Sequence, residues 1–434
     1  MSEQDTCCHE YERAARLSRR RFLQGVAATS TATVATTMFG DALRQATFAA
    51  PGDSASGNVL VVISLRGGID GLGMVVPHGD PGYYTARRSI AVPKESLVAR
   101  DELFGLHPNM APLQWLFDQG ELAAVHAVGM EVPNRSHFLA MEEVEDADPA
   151  SSVRRGWVNR MIGLDGDSAP SEAVHLTSSI VPTMLVGPAP TVSADRLEGI
   201  SLAGGDGTDI WATRRRRALD MVWEPAGGPL GHAGRSALQT VDQLAPIAAA
   251  PYVPSNDVTY PDEWPATDLS AALKDTAQLI RAGVGTEVVS IDYGSWDMHS
   301  DYGTTEWGEM QSMVAGFAGA LDAFLRDLGE LRSKVTVVTI SEFGRRIAEN
   351  GNRGLDHGWG NMMLLAGGGV KGGQYYANWP GLGTDQLVDG DLAVTTDYRN
   401  VLGEVVAHSF PDRAIPEVFP GLTFQPLGVM TRPL

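Results

Sequence analysis

The stretch "KVTVVTISEFGRRIAENGNRGLDHGWGNMMLLAG", residues 334–367, decides the fold of this chain. Its two ends are short apolar runs without polar alternation, a pattern typical of strands that are buried on both faces of a sheet. The segment between them is rich in Gly and Asn, which predicts a loop. This loop nevertheless carries Glu342, Asp356 and His357. Carboxylates and an imidazole at the ends of two buried strands indicate a binding or reactive site.

Strands and helices alternate along most of the chain. Between the apolar runs lie segments whose apolar residues have helical spacing, for example "SHFLAMEEVED", which begins at Ser136. This alternation predicts an α/β fold, an α/β/α sandwich with a mostly parallel central sheet. Residues 150–265 interrupt the pattern, and we interpret them as an insertion or cap. The predicted strands are Asn58–Leu65, Glu121–Val128, Thr183–Gly187, Thr286–Asp292, Lys334–Ile340 and Asn361–Gly367.

The composition is that of a globular protein with a strongly acidic surface. The chain has 434 residues, of which 43% are hydrophobic, so it is long enough to bury a large core. Its formal net charge is −20. Such a charge repels nucleic acids and anionic membrane surfaces, and we expect neither as the main partner.

The N-terminus resembles an export signal. "SRRRFLQG", Ser18–Gly25, carries the pair Arg19 and Arg20 followed by Phe and Leu, the pattern of a twin-arginine signal. The mildly apolar run after it is too short and too polar to span a bilayer permanently. A basic amphipathic helix is the alternative interpretation. We predict a signal peptide over residues 1–50, a linker over 51–57 and one main domain over 58–434.

An exported chain of this kind would have the twin-arginine translocation machinery as a partner. It would then lie outside the cell, in the cell envelope or in the periplasm. Both cysteines, Cys7 and Cys8, precede the signal, so the mature chain has no disulfide and no thiolate ligand. No other segment reaches about 18 uninterrupted apolar residues, and we predict no transmembrane segment in the mature chain.

Ligands of open α/β sheets bind at the carboxyl ends of the strands. Five predicted strand junctions bring oxygen or imidazole ligands to that edge, which predicts a metal site with a serine beside it. Taken alone, each motif has an ordinary explanation, since Asp70 lies among glycines in a turn-like segment and Ser136 suits a helix N-cap. The junction residues are Asp70, Asn134, Arg135, Ser136, His137, Asp297, His299, Glu342, Asp356 and His357.

Six motifs behind the export signal resemble those of a family of bacterial proteins known as DUF1501, a domain of unknown function. The resemblance spans residues from about 58 to 430. The family is similar to the alkaline phosphatase and sulfatase superfamily, which implies an alkaline phosphatase-like sandwich. The motifs are "LRGGIDGLGMVVPHGDPGYY", "LHPNMAPL", "NRSHF", "WDMHSDYG", "SEFGR" and "DHGWGNMMLLAGGGVKGG".

The resemblance also implies one or two divalent metal ions at the strand ends, with Zn, Mn, Fe and Ca as candidates, and Ser136 as the catalytic nucleophile. At one position the chain departs from the superfamily, because Glu342-Phe343 stands where an Asp-His pair is usual. This departure puts a complete two-metal site in question. The predicted metal ligands are Asp70, Asp297, His299, Glu342, Asp356 and His357.

Three functions remain open at this point. The first is an exported metal-dependent hydrolase that acts on a phosphate or sulfate ester of a small molecule or a polymer. In this hypothesis Arg66 or Arg135 holds an oxygen of the anionic group, although a solvated surface role is the alternative for either. The second is a non-catalytic protein that keeps the metal for stability and binds a cell-surface polymer, which Phe343 favours. The third is a structural envelope protein without a metal, which requires the five junctions to be coincidental.

Overall fold

The computed structural model describes residues 57–165, 168–202, 210–255 and 257–431, so the predicted signal peptide and nearly all of the linker lie outside the described residues. The strands are β1 Val59–Leu65, β2 Val75–Val76, β3 Gly105–Leu106, β4 Leu122–Gly129, β5 Ala173–Leu176, β6 Val192–Ala194, β7 Val288–Tyr293, β8 Val335–Ile340, β9 Asn361–Gly367, β10 Gln374–Tyr376 and β11 Thr396–Asp397. The α-helices are α1 Gly71–Met74, α2 Pro81–Ala86, α3 Gln114–Asp118, α4 His137–Asp146, α5 Trp157–Ile162, α6 Ile210–Trp223, α7 Gly228–Ala249, α8 Thr267–Ala282, α9 Glu309–Leu328, α10 Tyr398–Ser409 and α11 Ile415–Val418.

A nine-stranded sheet forms the middle of the molecule. Its order is β10-β4-β9-β8-β1-β7-β5-β6, and β11 pairs with β4. Near the centre, β1 pairs in parallel with both β7 and β8. All seven residues of β1 are buried, as expected for a strand covered on both faces. The predicted α/β fold with a mostly parallel central sheet is therefore confirmed.

One strand runs against the others. β9 pairs antiparallel with β4 and with β8, whereas the remaining pairs of this sheet are parallel. Because β9 is reversed, its first residue lies at the edge where β1, β4, β7 and β8 end. The loop between β8 and β9 therefore begins and ends at one edge of the sheet. It contributes side chains there from both of its ends.

Each face of the sheet has its own hydrophobic core. Successive side chains of a strand point to opposite faces, so Val61 and Ile63 join one core while Leu60 and Val62 join the other. Helices α8 and α9 complete the first core, and α5 and α10 complete the second. Burial of each such aliphatic side chain stabilises the fold by about 1.5–3 kcal/mol. Among the described residues, no helix is both long enough and apolar enough to cross a membrane.

The segment 150–265 differs from the sequence-based expectation. The predicted strand Thr183–Gly187 is wrong, because Thr183–Leu185 form a 3₁₀ helix. A short apolar run cannot be distinguished from a buried helical turn by its periodicity. Two shorter strands of this segment, β5 and β6, extend the main sheet beside β7. The interpretation of residues 150–265 as an insertion or cap, and the division of the chain into domains, stay predictions.

A candidate metal centre at one edge of the sheet

A pair of glycines brings the end of β1 against two other loops. Gly67 and Gly68 have φ angles of +111° and +61°, a region that favours glycine. A Cβ atom at Gly67 would lie 2.8 Å from the backbone nitrogen of Asp297, and one at Gly68 would lie 2.5 Å from the ring of Phe343. The backbone N–H of Gly67 donates to Oε1 of Glu342 at 2.9 Å. The turn thus closes the edge of the sheet around the junctions of β7 and β8.

Three histidines converge at this edge, one each from the loops after β4, after β7 and before β9. Nε2 of His357 lies 3.0 Å from Nε2 of His137 and 3.1 Å from Nε2 of His299. Oδ1 of Asp297 lies 3.1 Å from Nε2 of His357 and 3.0 Å from Nε2 of His299. His137, Asp297 and His357 each present a ligand atom within 4.8 Å of the other two. The four side chains therefore form one cluster, which we call the histidine cluster.

Two of these imidazoles contact carboxylates through Nδ1, while their Nε2 atoms face the cluster. Nδ1 of His137 lies 2.7 Å from Oε1 of Glu342, and Nδ1 of His299 lies 3.1 Å from Oδ1 of Asp356. An ionised carboxylate accepts hydrogen bonds and donates none, so both Nδ1 atoms carry protons. In a neutral ring, the lone pair is then on Nε2, which points into the cluster.

The third imidazole is held by the backbone. Nδ1 of His357 lies 3.0 Å from the carbonyl oxygen of Arg135, which also only accepts. Burial lowers the pKa of His357, although its hydrogen bond to Asp297 opposes that effect. With Nδ1 at this carbonyl, Nε2 of His357 faces Asp297 and the other two imidazoles.

The donor set fits a divalent metal ion. The contacting pairs lie 3.0–3.1 Å apart, close to the spacing of about 3.3 Å that metal–ligand distances of about 2.0–2.1 Å give in a tetrahedral shell. The group whose ligand atoms all lie within 4.8 Å of one another is His137, Asp297 and His357, and His299 lies beside it. Three imidazoles and one carboxylate suit Zn, Mn or Fe, whereas Ca prefers an all-oxygen shell. Carboxylates or carbonyls behind ligating imidazoles are the usual outer contacts of such sites. The arrangement fits a metal at its centre, with the imidazoles already in the tautomers that ligation requires.

Electrostatics within the cluster follow from the same contacts. Burial acts to lower the pKa of His137, but hydrogen bonds to Asp297 and Glu342 outweigh it and raise the pKa to about 9. Burial acts to raise the pKa of Asp297, yet its contacts with the three histidines hold that pKa well below its usual range. A protonated His137 therefore places a positive charge beside Asp297.

Asp70 forms a separate buried ion pair. It accepts hydrogen bonds from Nη1 and Nη2 of Arg87 at 2.5 and 2.8 Å, and from the hydroxyl of Tyr302 at 2.5 Å. Burial acts to raise the pKa of Asp70, but Arg87 outweighs it and the pKa is lowered. Both carboxylate oxygens thus face donors, and their hydrogen bonds within the described residues do not reach the histidines. The structure does not bring Asp70 into the histidine cluster.

The two predicted substrate-binding arginines are both paired with acids. Arg66 donates to Glu145 at 2.6 Å and to Asp292 at 2.9 Å. Arg135 donates through Nη2 to Asp391, while 37% of its side chain is exposed. Because Arg66 is engaged by two carboxylates, Arg135 is the better placed of the two for a ligand.

Ser136 lies directly beside the histidine cluster. It is the N-cap residue of α4, as predicted, but its hydroxyl makes no capping hydrogen bond. Its chain neighbours are Arg135, whose carbonyl holds His357, and His137 itself. This position places the hydroxyl at the N-terminus of α4, where backbone N–H groups favour negative charge.

Sequence reasoning missed one member of the cluster. The strand-end pattern places His137 at the junction after β4, yet the predicted site residue at that junction is Ser136, and His137 is not among the predicted ligands. The available signal was an imidazole at the first residue of a helix that follows a strand end. Phe343, at the position where the superfamily resemblance implies an imidazole, packs its ring 4.8 Å from the ring centroids of both His137 and His357. It supports the two imidazoles as an apolar wall.

The fold and the site define an α/β protein with a candidate metal centre at the carboxyl edge of its sheet. Residues 275–401 match the model of a family described as "Protein of unknown function (DUF1501)". The match confirms, for this part of the chain, the resemblance drawn from its motifs. Asp297, His299 and His357 lie inside the matched segment, whereas His137 lies outside it. None of the curated proteins compared with the chain matches it.

Several solved structures are similar to the chain at low identity. A protein in the alkaline phosphatase superfamily from Vibrio parahaemolyticus is 9% identical, with a TM-score of 0.34, and the match covers 78% of this chain and 66% of that one. The C-terminal periplasmic domain of EcEptC from Escherichia coli, in complex with Zn, is 9% identical, with a TM-score of 0.32 and coverage of 74% and 76%. The PsFucS1 sulfatase from Pseudoalteromonas sp. is 13% identical, with a TM-score of 0.33 and coverage of 86% and 74%. At these TM-scores the similarities carry no argument about the site.

Proposed function

We propose that the chain is an exported metal-dependent hydrolase that acts on a phosphate or sulfate ester of a small molecule or a polymer. One observation carries this proposal. Three imidazoles direct Nε2 toward a common carboxylate, Asp297, while their Nδ1 atoms are held from behind. Ligand atoms of His137, Asp297 and His357 lie within 4.8 Å of one another, and Nε2 of His299 lies 3.0 Å from Oδ1 of Asp297, which supports a metal-binding role.

In this proposal the metal is held by His137, Asp297 and His357, and His299, which contacts Asp297, lies beside them. Glu342 and Asp356, which the sequence predicted as ligands, orient two of the imidazoles instead. When bound, a divalent ion supplies a Lewis acid that stabilises negative charge on the oxygens of the ester.

Ser136 is the proposed nucleophile. It lies between two residues that contact the histidine cluster, and the N-terminus of α4 favours an anionic group at this point. Arg135 is the proposed contact for a further anionic oxygen, since more than a third of its side chain is exposed. Export through the twin-arginine machinery, and a place in the envelope, in the periplasm or outside the cell, belong to the same proposal and rest on Arg19 and Arg20.

A non-catalytic, metal-stabilised protein that binds a cell-surface polymer is the second candidate. The observation that favours it is the apolar ring of Phe343, which packs 4.8 Å from the ring centroids of His137 and His357 where the resemblance implies an imidazole ligand. The observation against it is exposure. Asp297 is 29% exposed and His299 is 32% exposed, so one side of the cluster is open to solvent and to a substrate oxygen.

Hydrolysis assays separate the two candidates. The purified mature chain is tested on aryl phosphates, phosphodiesters and aryl sulfates with Zn, Mn and Fe supplied in turn. Ser136→Ala should lower the turnover rate by several orders of magnitude, while the metal content stays unchanged. Ser333→Ala is the matched control, because Ser333 is exposed and precedes β8 at the opposite edge of the sheet. An active Ser136→Ala variant would show that Ser136 is not the nucleophile. A wild type that is inactive on every substrate of the panel would favour the polymer-binding candidate.

A further inference from the structure

We infer that the substrate carries a second anionic group next to the ester, and that Arg135 and Arg346 bind this group together. The inference rests on the proposed function and deepens it, because it defines the substrate class as an ester with more than one anion. A polymer with repeated sulfate, phosphate or carboxylate groups belongs to this class, whereas a simple monoester does not.

Two arginines from different loops lie on one buried carboxylate. Arg135, in the loop after β4, donates through Nη2 to Oδ2 of Asp391. Nε of Arg346, in the loop after β8, lies 3.9 Å from Oδ1 of the same carboxylate. Only 1% of the Asp391 side chain is exposed, so the carboxylate faces the two arginines rather than solvent. One negative charge thus lies between two positive charges.

The pair has more hydrogen-bond donors than Asp391 satisfies. The contact between Arg346 and Asp391 is too long for a hydrogen bond, and the guanidinium of Arg346 donates none to the residues that the structure describes. Nε of Arg135 is buried and has no partner among them either. The two side chains are 37% and 44% exposed, so a ligand can reach both. The open donors therefore suit an anion that enters from solvent.

The pair lies beside the proposed reaction site. Arg135 directly precedes Ser136, and its carbonyl contacts Nδ1 of His357. The backbone N–H of Arg346 donates to the carbonyl of Asp356, the residue before His357, at 2.9 Å. Backbone contacts thus fix both arginines relative to the histidine cluster. An anion bound between their side chains would lie next to an ester held at that cluster.

The charge of this pair is opposite to that of the protein as a whole. Two guanidiniums and one carboxylate leave one net positive charge, whereas the formal net charge of the chain is −20. A guanidinium stays protonated at every pH at which proteins fold, and its paired N–H groups match the oxygens of a carboxylate, phosphate or sulfate. An anionic group is therefore attracted to this point and repelled by the acidic surface elsewhere.

Binding of phosphonates tests the inference without turnover. Phenylphosphonates that carry a carboxylate, or the uncharged carboxamide, at the meta or para position are titrated into the metal-loaded mature chain by calorimetry. The better carboxylate should bind about tenfold more tightly than its matched carboxamide, as expected for one charge-assisted hydrogen bond. Equal affinities would overturn the inference and leave the hydrolase proposal standing. If none of the compounds binds, the inference is also overturned, and turnover on the ester panel decides the hydrolase proposal separately.

Variants of Arg346 test its part. Arg346→Gln should reduce the preference for the carboxylate to about one, whereas Arg346→Lys keeps the charge and should retain part of the preference. The side chain is 44% exposed, so we expect both variants to fold. Arg217→Gln is the matched control, because Arg217 is an exposed arginine on α6. A wild-type preference in Arg346→Gln would overturn the inference that the two arginines bind the anion together.

Discussion

Oε1 of Glu342 lies 2.7 Å from Nδ1 of His137, although the two residues are 205 positions apart in the chain. This contact orients the ring of His137 so that Nε2 faces Asp297. Burial acts to raise the pKa of Glu342, but the bond to His137 outweighs it and lowers the pKa, so the carboxylate is ionised. The carboxylate after β8 therefore holds the ring of His137, and we propose that it acts on a metal through this histidine rather than as a ligand.

Replacing Glu342 should weaken metal binding without abolishing it. Loss of an outer contact of this kind typically lowers metal affinity by about 10–100-fold. We expect Glu342→Ala to raise the dissociation constant of Zn²⁺ by that factor and to regain occupancy at high metal concentration, as measured by competition with a chromogenic chelator. Glu330→Ala, at an exposed glutamate, is the control. An unchanged dissociation constant in Glu342→Ala would contradict the orienting role.

Removing His357 should abolish the site. His357 contacts His137, His299 and Asp297 through one nitrogen atom, so His357→Ala removes the common point of the histidine cluster. We expect bound metal to fall to background in elemental analysis. We also expect the wild type, and not the variant, to gain stability when metal is added, by about 2.7 kcal/mol at a hundredfold excess over the dissociation constant.

The control for this experiment is His232→Ala, because His232 is exposed on α7. It should keep both the metal and the metal-dependent rise in melting temperature. Equal metal content in the wild type and in His357→Ala would show that the site lies elsewhere.

Asp70→Asn should destabilise the protein and leave its metal content unchanged. The substitution leaves the guanidinium of Arg87 buried without its counter-ion, which typically costs about 3–5 kcal/mol. Chemical denaturation measures the loss, and elemental analysis measures the metal. Asp385→Asn, at an exposed aspartate, should change neither. A folded Asp70→Asn variant that lost a metal ion would restore the ligand role that the sequence predicted.

Acid should weaken the fold through His126. Burial lowers the pKa of His126 from 6.5 to about 4, although its hydrogen bonds oppose the effect, and its Nε2 lies 3.0 Å from the carbonyl of Val75. A depressed folded-state pKa gives stability that is present above about pH 6.5 and is lost as the pH falls through about 4. The slope from this one group reaches about 1.4 kcal/mol per pH unit.

Denaturant unfolding between pH 4 and 7.5 checks this expectation. His126→Gln should lower stability at pH 7 and should flatten its pH dependence. His232→Gln should retain the slope of the wild type. An equally steep fall in His126→Gln would assign the acid sensitivity to other groups.

The export prediction concerns residues outside those that the structure describes. Arg19→Lys combined with Arg20→Lys should leave the precursor in the cytoplasm, because the twin-arginine machinery reads the arginine pair itself. Cell fractionation of the expressed precursor measures the distribution. Arg13→Lys combined with Arg16→Lys conserves the same charge outside the pair and should be exported normally. Normal export of the Arg19/Arg20 variant would refute the signal assignment.

The apolar runs of the sequence were sufficient to locate the main strands, because a strand that is buried on both faces needs apolar residues at successive positions. The runs at β1, β4, β7, β8 and β9 were recognised to within two residues at each end. The strands β5 and β6 were missed because they are short and include polar residues such as His175, whose Nδ1 lies 2.9 Å from the hydroxyl of Ser290 inside the sheet. Their pairing depends on β7, from which β5 is separated by more than a hundred residues of chain.

The sequence by itself also determined which junctions would carry polar side chains, because the strand ends of such a sheet meet at one edge. The tertiary structure alone decided what each side chain does there. His137 belongs to the histidine cluster, whereas Glu342 and Asp356 contact Nδ1 atoms of its imidazoles. Asp70 pairs with Arg87 instead. Strand periodicity places a residue at an edge, whereas ligation depends on atomic distances between loops that are far apart in sequence. Those distances arise when the glycine turn at Gly67 packs against its neighbours.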